Sequence, residues 1–249
     1  MPTTVEPRRP AFDRDTAMRL AATEYQRLVA QLRELVPEDW SRPTACPAWD
    51  VHRMVCHVIG NAEMSASHEE RMRQVAEARS RGGLFIDALT AVQVDRHVDR
   101  TPAELVELLA AVAPRAVRGR TGVPADALDA IMPGQPVDDR GAQLEPWRFA
   151  YLNDVIWTRD TWIHRSDIAV ATQRAMVLTS DHDGELVADM ATEWAERHGE
   201  PCTLLLSGPA GGEWAFGGGA RYELDAVEFC RILSGRGTGE GLLGTRIPF

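Results

Sequence analysis

The chain contains no lysine: its 27 basic residues are all arginine. Chemistry that runs through a lysine is therefore excluded, including Schiff-base catalysis, internal pyridoxal aldimines and the lysine-bearing phosphate loop. Cysteine is scarce. Cys46, Cys56, Cys202 and Cys230 form no C-x-x-C pair, and the expectation is reduced thiols in a cytoplasmic protein. No run of 18 apolar residues and no signal peptide is visible, so no membrane is expected as a partner. Positive charge is in deficit as well. The net charge of -10 and pI near 5.2 argue against nucleic-acid binding, which needs a basic face.

What is present reads as a helical protein with a small mixed ending. At 249 residues the chain is long for one simple core and comfortable for two small domains. Residues 1–12 are expected to form a flexible polar arm. Leu20, Ala21, Tyr25, Leu28, Val29, Leu32 and Val36 recur at helical spacing over 13–36. Val51, Met54, Val55, Val58, Ile59 and Ala62 form the stripe of a second helix, expected to run past Gly60 toward 78. Thr101-Pro102-Ala103-Glu104 is a capping box that opens a third. Residues 119–145, rich in Gly, Pro and Asp, are expected to be a long loop that sets substrate choice. A fourth helix is expected over 146–168. Four helices with one long crossover describe a bundle. After about 171 the pattern changes to a helix over Ser180–His198, three short strands at 202–206, 213–216 and 221–224, and a final helix opened by Asp225. The division expected is a bundle over 13–170 and an α+β domain over 171–249.

Chemistry concentrates at Asp160-Thr161-Trp162-Ile163-His164. Residues four apart lie on one helix face, so a carboxylate and an imidazole can be aimed at one point. With His57 from another helix they would make a three-ligand divalent-metal site with a position left open. The spacing alone equally fits an exposed acid–base pair contributing a few tenths of a kcal/mol. Apolar neighbours (Ile156, Trp157, Trp162, Ile163, Ile168) argue for burial, where an acid and a base need pairing or a cation.

Four stretches resemble one family. They are Thr44-x-Cys46-Pro47-x-Trp49-x-Val51 with Val55-Cys56-His57-Val58-x-Gly60; Trp157-x-Arg159-Asp160-x-Trp162-Ile163-His164-Arg165-x-Asp167-Ile168; Leu233-Ser234-Gly235-Arg236; and Ile247-Pro248-Phe249. Together they resemble the mycothiol-dependent maleylpyruvate isomerase-like proteins, within the DinB-like group of metal-dependent thiol transferases. The resemblance implies an α+β protein, a DinB-like four-helix bundle followed by a small α/β domain similar to sterol-carrier folds. It implies a divalent metal, zinc first, held by His57, Asp160 and His164, with mycothiol as thiol cosubstrate. The small-molecule partner would be an electrophile or unsaturated acid, handled by a monomer or homodimer. Arg236 matches an arginine that assists activity from the second domain. The isomerase itself carries glutamate where Asp160 stands.

Other readings stay open at this point. His52, Cys56 and Cys46 could hold a structural zinc. Cys56 also fits a small core residue, and His68 a surface position. Trp49, Trp157 and Trp162 fit core packing as well as a pocket. Arg165 and Asp167 fit either a helix-end pair or groups orienting the ligands. Arg236 could cap the preceding helix. A hydrolase activating water and a non-catalytic ligand carrier are the competing functions.

Overall fold

The computed structural model describes residues 6–132, 135–136 and 144–249. In chain order the helices are α1 (Arg14–Arg33), α2 (Val51–Ala66), α3 (His68–Arg81), α4 (Phe85–Asp95), α5 (Pro102–Thr121), α6 (Ala125–Leu128), α7 (Phe149–Tyr151), α8 (Trp157–Thr172), α9 (Glu185–His198) and α10 (Ala226–Leu233). The strands are β1 (Gln135–Pro136), β2 (Leu144–Glu145), β3 (Cys202–Ser207), β4 (Gly212–Phe216) and β5 (Ala220–Asp225). The α+β class expected from the sequence is the class adopted: mostly helix, with a small three-stranded sheet. Among the described residues no helix is long and apolar enough to cross a membrane.

The chain divides into two compact units. One comprises Arg14–Ala127 and Asp160–Met176; the other comprises the N-terminal arm, Leu128–Arg159 and Val177–Phe249. The sequence pattern suggested a single boundary near 170, whereas the units interleave along the chain.

In the first unit one apolar core gathers Leu28 and Leu32 of α1, Met54 and Ile59 of α2, Leu105 and Leu109 of α5, and Ile168 of α8. Asp50 caps α2 by accepting from Arg53 N at 2.8 Å. The capping box of α5 is formed: Thr101 N donates to Glu104 Oε2 at 2.7 Å and Thr101 Oγ1 accepts from Glu104 N. The second helix stops earlier than its stripe suggested. Ser67 is extended (φ -145°, ψ 125°) and its hydroxyl caps α3 instead. Helix α4, unheralded by any strong stripe, packs beside α2. Their backbones meet at Gly60, where an added Cβ would lie 2.5 Å from Gln93 Cβ.

The segment expected as a loop over 119–145 is partly structured. α5 reaches Thr121, α6 adds a turn, and β1 pairs antiparallel with β2. Residues 133–134 and 137–143 lie outside the described residues, as do residues 1–5 of the arm. Arg8 of that arm is anchored, its Nε donating to Glu145 Oε1 at 2.8 Å. The helix expected from 146 begins as α7, widens to i→i+5 bonding over Leu152–Ile156, and continues as α8.

In the second unit β3 is central, antiparallel to β4 and parallel to β5. To reach the far side of β3, the chain crosses beneath Pro201 through Gly217, Gly218 and Gly219, all at positive φ. At Gly219 a side chain would collide with the Pro201 carbonyl. Trp194 of α9 fills the core edge-on to Phe229 of α10. Gly235 (φ 87°) ends α10 with Arg236 N donating to Arg231 O at 2.8 Å and Gly235 N to Ile232 O at 3.0 Å, a Schellman turn. The terminal Ile247-Pro248 is tied in by Ile247 N to Leu233 O and Arg159 Nη1 to Pro248 O.

A buried ion cluster sits in this unit. Arg159 pairs with Asp189 at 2.6 Å and Glu193 at 2.7 Å, Arg197 reaches Glu193 at 2.6 Å, and Tyr151 donates its hydroxyl to Glu193. Burial alone would raise the Glu193 carboxyl, but Arg159, Arg197 and Arg8 outweigh it and hold it at about 2. In the unfolded chain a glutamate titrates near ~4.3. The folded value is the lower one, so this stabilisation is fully present above the unfolded value and fades as pH falls toward about 2. Glu193→Gln is expected to flatten the acid limb of stability across that window. At neutral pH it should cost on the order of 3–5 kcal/mol, because buried arginines lose their counter-charge. Urea midpoints measured against pH test both. Gly60→Ala is expected to cost ~1–3 kcal/mol by forcing α4 from α2, read as a lower urea midpoint.

Candidate metal centre

Helices α2 and α8 bring His57, Asp160 and His164 together. His57 Nε2 and His164 Nε2 each lie 3.4 Å from the same atom, Asp160 Oδ1. The imidazoles meet edge-to-face, with ring centroids 5.1 Å apart and planes at 87°. All three donor atoms fall within 4.8 Å of one another. The separations are informative. An N–H···O bond lies at about 2.7–3.2 Å, shorter than either distance. Two zinc–ligand bonds of ~2.1 Å meeting at a tetrahedral angle hold their donors ~3.4 Å apart. The donor set is compatible with a shared cation as well as with long hydrogen bonds to Asp160.

The surroundings hold each ligand. Asn61, one turn after His57, donates Nδ2 to Asp160 Oδ2 at 3.1 Å and leaves Oδ1 facing both imidazoles. Burial would raise the Asp160 carboxyl, yet His57 and His164 beside it hold it well below the usual carboxylate range. His57 Nδ1 lies 2.8 Å from Gln93 Oε1. His164 Nδ1 lies 3.3 Å from Asp167 Oδ2, a carboxylate wholly out of water. Arg165 grips Glu24 with a two-toothed contact at 2.6 and 3.1 Å, both residues buried. Trp49 covers the imidazoles, its ring 5.0 Å from His57 and 6.0 Å from His164.

Several readings of individual residues are thereby resolved. Trp157 and Trp162 are core residues, 4% and 0% exposed, whereas half-buried Trp49 lies against the site. Asp167 is buried against His164 Nδ1, and Arg165 forms a buried pair with Glu24. His68 is exposed. Among the described residues, His52, Cys56 and Cys46 do not form a metal cluster. His52 Nε2 instead meets Arg100 O at 2.8 Å, and burial pushes the Cys56 thiol up to about 12, a core residue. Cys46 comes close to His164 and Asp167, with donor atoms within 4.8 Å. Arg236 lies in the other compact unit, in the turn after α10. Sequence reasoning missed Asn61 and Gln93. The i, i+4 spacing of His57 and Asn61 carried a signal; Gln93, on α4, carried none.

The family model described as the mycothiol maleylpyruvate isomerase N-terminal domain matches residues 21–169. Two crystal structures resemble the chain: mycothiol-dependent maleylpyruvate isomerase, at a TM-score of 0.58, and a mutant of that enzyme, at 0.57. Each is 16% identical, with 91% of this chain and 91% of that chain covered. At such identity the likeness speaks for the fold. No curated protein matches the chain. The matched span takes in more than half of the sequence and includes His57, Asp160 and His164, and the chain belongs to the mycothiol maleylpyruvate isomerase N-terminal domain family.

Proposed function

We propose that the protein is a zinc-dependent cytoplasmic enzyme that uses mycothiol or a similar low-molecular-weight thiol, with the cation held by His57, Asp160 and His164. The observation that carries this reading is the pair of 3.4 Å separations converging on Asp160 Oδ1, within a chain of this family. Two imidazoles and one carboxylate are a donor set suited to zinc rather than to magnesium or calcium, which prefer oxygen. When bound, such a cation offers an open position at which a thiol gives up its proton at neutral pH.

The side chains around it have distinct tasks. Asn61 fixes the orientation of Asp160, while Gln93 and Asp167 fix the two imidazoles. Trp49 excludes water from one side of the rings. The cosubstrate's thiolate supplies the nucleophile, so no cysteine of the chain is required. In an isomerisation its sulfur adds to the conjugated double bond of an unsaturated acid, the resulting single bond rotates, and the sulfur leaves with its electron pair. In an S-transfer the sulfur stays on the electrophile. Arg236 is assigned to a substrate carboxylate, which a guanidinium fork can bind at two oxygens.

Elemental analysis of the purified chain is expected to find one zinc per protein. His164→Ala is expected to lose that zinc and reduce thiol-dependent turnover by more than ~100-fold, beyond the loss typical of an outer group. Unchanged turnover would overturn the reading. Turnover without added thiol would point to water as nucleophile, and tight ligand retention without turnover to a carrier. Arg236→Ala is expected to lower kcat/KM for a carboxylated electrophile ~10–100-fold, the loss of a charged hydrogen bond, and to spare an uncharged electrophile. Equal losses on both would leave Arg236 as a helix cap only.

A further inference from the structure

Behind His57 lies a continuous line of buried amides. Gln93 and Gln74 are 2% and 0% exposed. Gln93 Oε1 is 2.8 Å from His57 Nδ1, Gln93 Nε2 is 3.0 Å from Gln74 Oε1, and Gln74 Nε2 is 3.0 Å from both the Gly60 carbonyl and Glu70 Oε1. The direction of this line follows from its far end. A backbone carbonyl can only accept, and Glu70, gripped by Arg73 at 2.7 and 2.9 Å, also accepts. Gln74 must therefore present its NH2 to them and its oxygen to Gln93. Gln93 must then donate to Gln74 and present its own oxygen to His57. An oxygen there requires a proton on Nδ1, which in the neutral ring leaves the Nε2 lone pair facing Asp160 Oδ1.

We infer that Gln93 and Gln74 are positioning residues that lock His57 in the Nδ1–H tautomer and so preset Nε2 as a metal donor. The inference rests on the metal reading above for its consequence, but not for its geometry. Gly60 has two parts in it. Its carbonyl terminates the line, and its missing side chain lets Gln93 approach, since a Cβ there would sit 2.5 Å from that of Gln93. The common partner of a ligating histidine is a carboxylate, a backbone carbonyl or water. Here a neutral amide takes that place for His57, while the carboxylate of Asp167 serves His164. The imidazole of His57 is thereby oriented with no negative charge added behind it.

The test uses the full chain and Zn²⁺ as probe. Calorimetric titration of apo-protein is expected to give ~10–100-fold weaker zinc binding for Gln93→Leu. Gln93→Glu, which retains an acceptor for Nδ1–H but loses the donor to Gln74 Oε1, is expected to keep the single Nδ1–H form. Nitrogen-15 spectra of the apo-protein at alkaline pH, with the His57 signals assigned by their loss in His57→Gln, provide a readout that packing alone would not move. The parent is expected to show a single Nδ1–H form and Gln93→Leu a tautomer mixture. Equal zinc affinity together with an unchanged tautomer in Gln93→Leu would overturn the inference. Failure of the parent itself to bind zinc would overturn the metal reading instead, and the tautomer comparison would still decide the role of Gln93 and Gln74.

Discussion

Asp160 carries its charge between two imidazoles that are themselves almost out of water, and much of the first unit is arranged around that fact. A buried carboxylate is costly unless opposite charge, hydrogen bonds or a cation meet it. Here one oxygen is met by Asn61 and the other by two nitrogens at equal distance. Equal spacing requires α2 and α8 to present their faces in fixed register. The shared core supplies that register: Met54 and Ile59 on α2 and Ile168 on α8 belong to one apolar cluster with α1 and α5. Rotating either helix by one residue would turn a ligand away by about 100°, given 3.6 residues per turn, and expose part of that core. Packing and ligand geometry therefore constrain each other.

The second unit meets a similar problem with a cluster of paired side chains. Arg159, 1% exposed, is satisfied by two carboxylates, and Glu193 by two arginines and a phenol. Breaking one member of such a cluster leaves an uncompensated charge in low dielectric, which is why it is sensitive to single substitutions. In the Arg159 cluster the closest contacts fall at 2.6–2.7 Å. At Asp160 Oδ1 the two imidazole nitrogens stand farther off, at 3.4 Å.

The legible features were those with strong local chemistry. The capping box at Thr101 and Glu104, the glycine punctuation around β4 and β5, and the Asp160/His164 pair all stand within a few residues of one another, and each is realised. What escaped depended on tertiary contact. The stripe of α2 runs on past Ala66, and nothing in periodicity alone shows Ser67 turning its hydroxyl into a cap. Helix α4 has a diffuse apolar pattern because two sides of it are covered, by α2 and by α3. Gln93 was invisible for the same reason. A glutamine in a weak stripe reads as solvent-facing, and only the close approach at Gly60 turns it inward. Asn61 stands four residues after His57, the spacing that also joins Asp160 to His164, but a neutral amide at that spacing carries no metal-ligand signal.

The shorter acid at position 160 fits this setting. A glutamate there would be one methylene longer. An aspartate has one fewer rotatable bond to freeze, so a preset site costs less conformational entropy. It also has less reach, which the backbone must make up. Asn61 then occupies the second carboxylate oxygen, which disfavours two-toothed binding and leaves Asp160 as a single donor. Were a zinc ion held there, three single donors would leave one tetrahedral corner for an outside ligand. The length of the acid and the amide that holds it would both serve that arrangement.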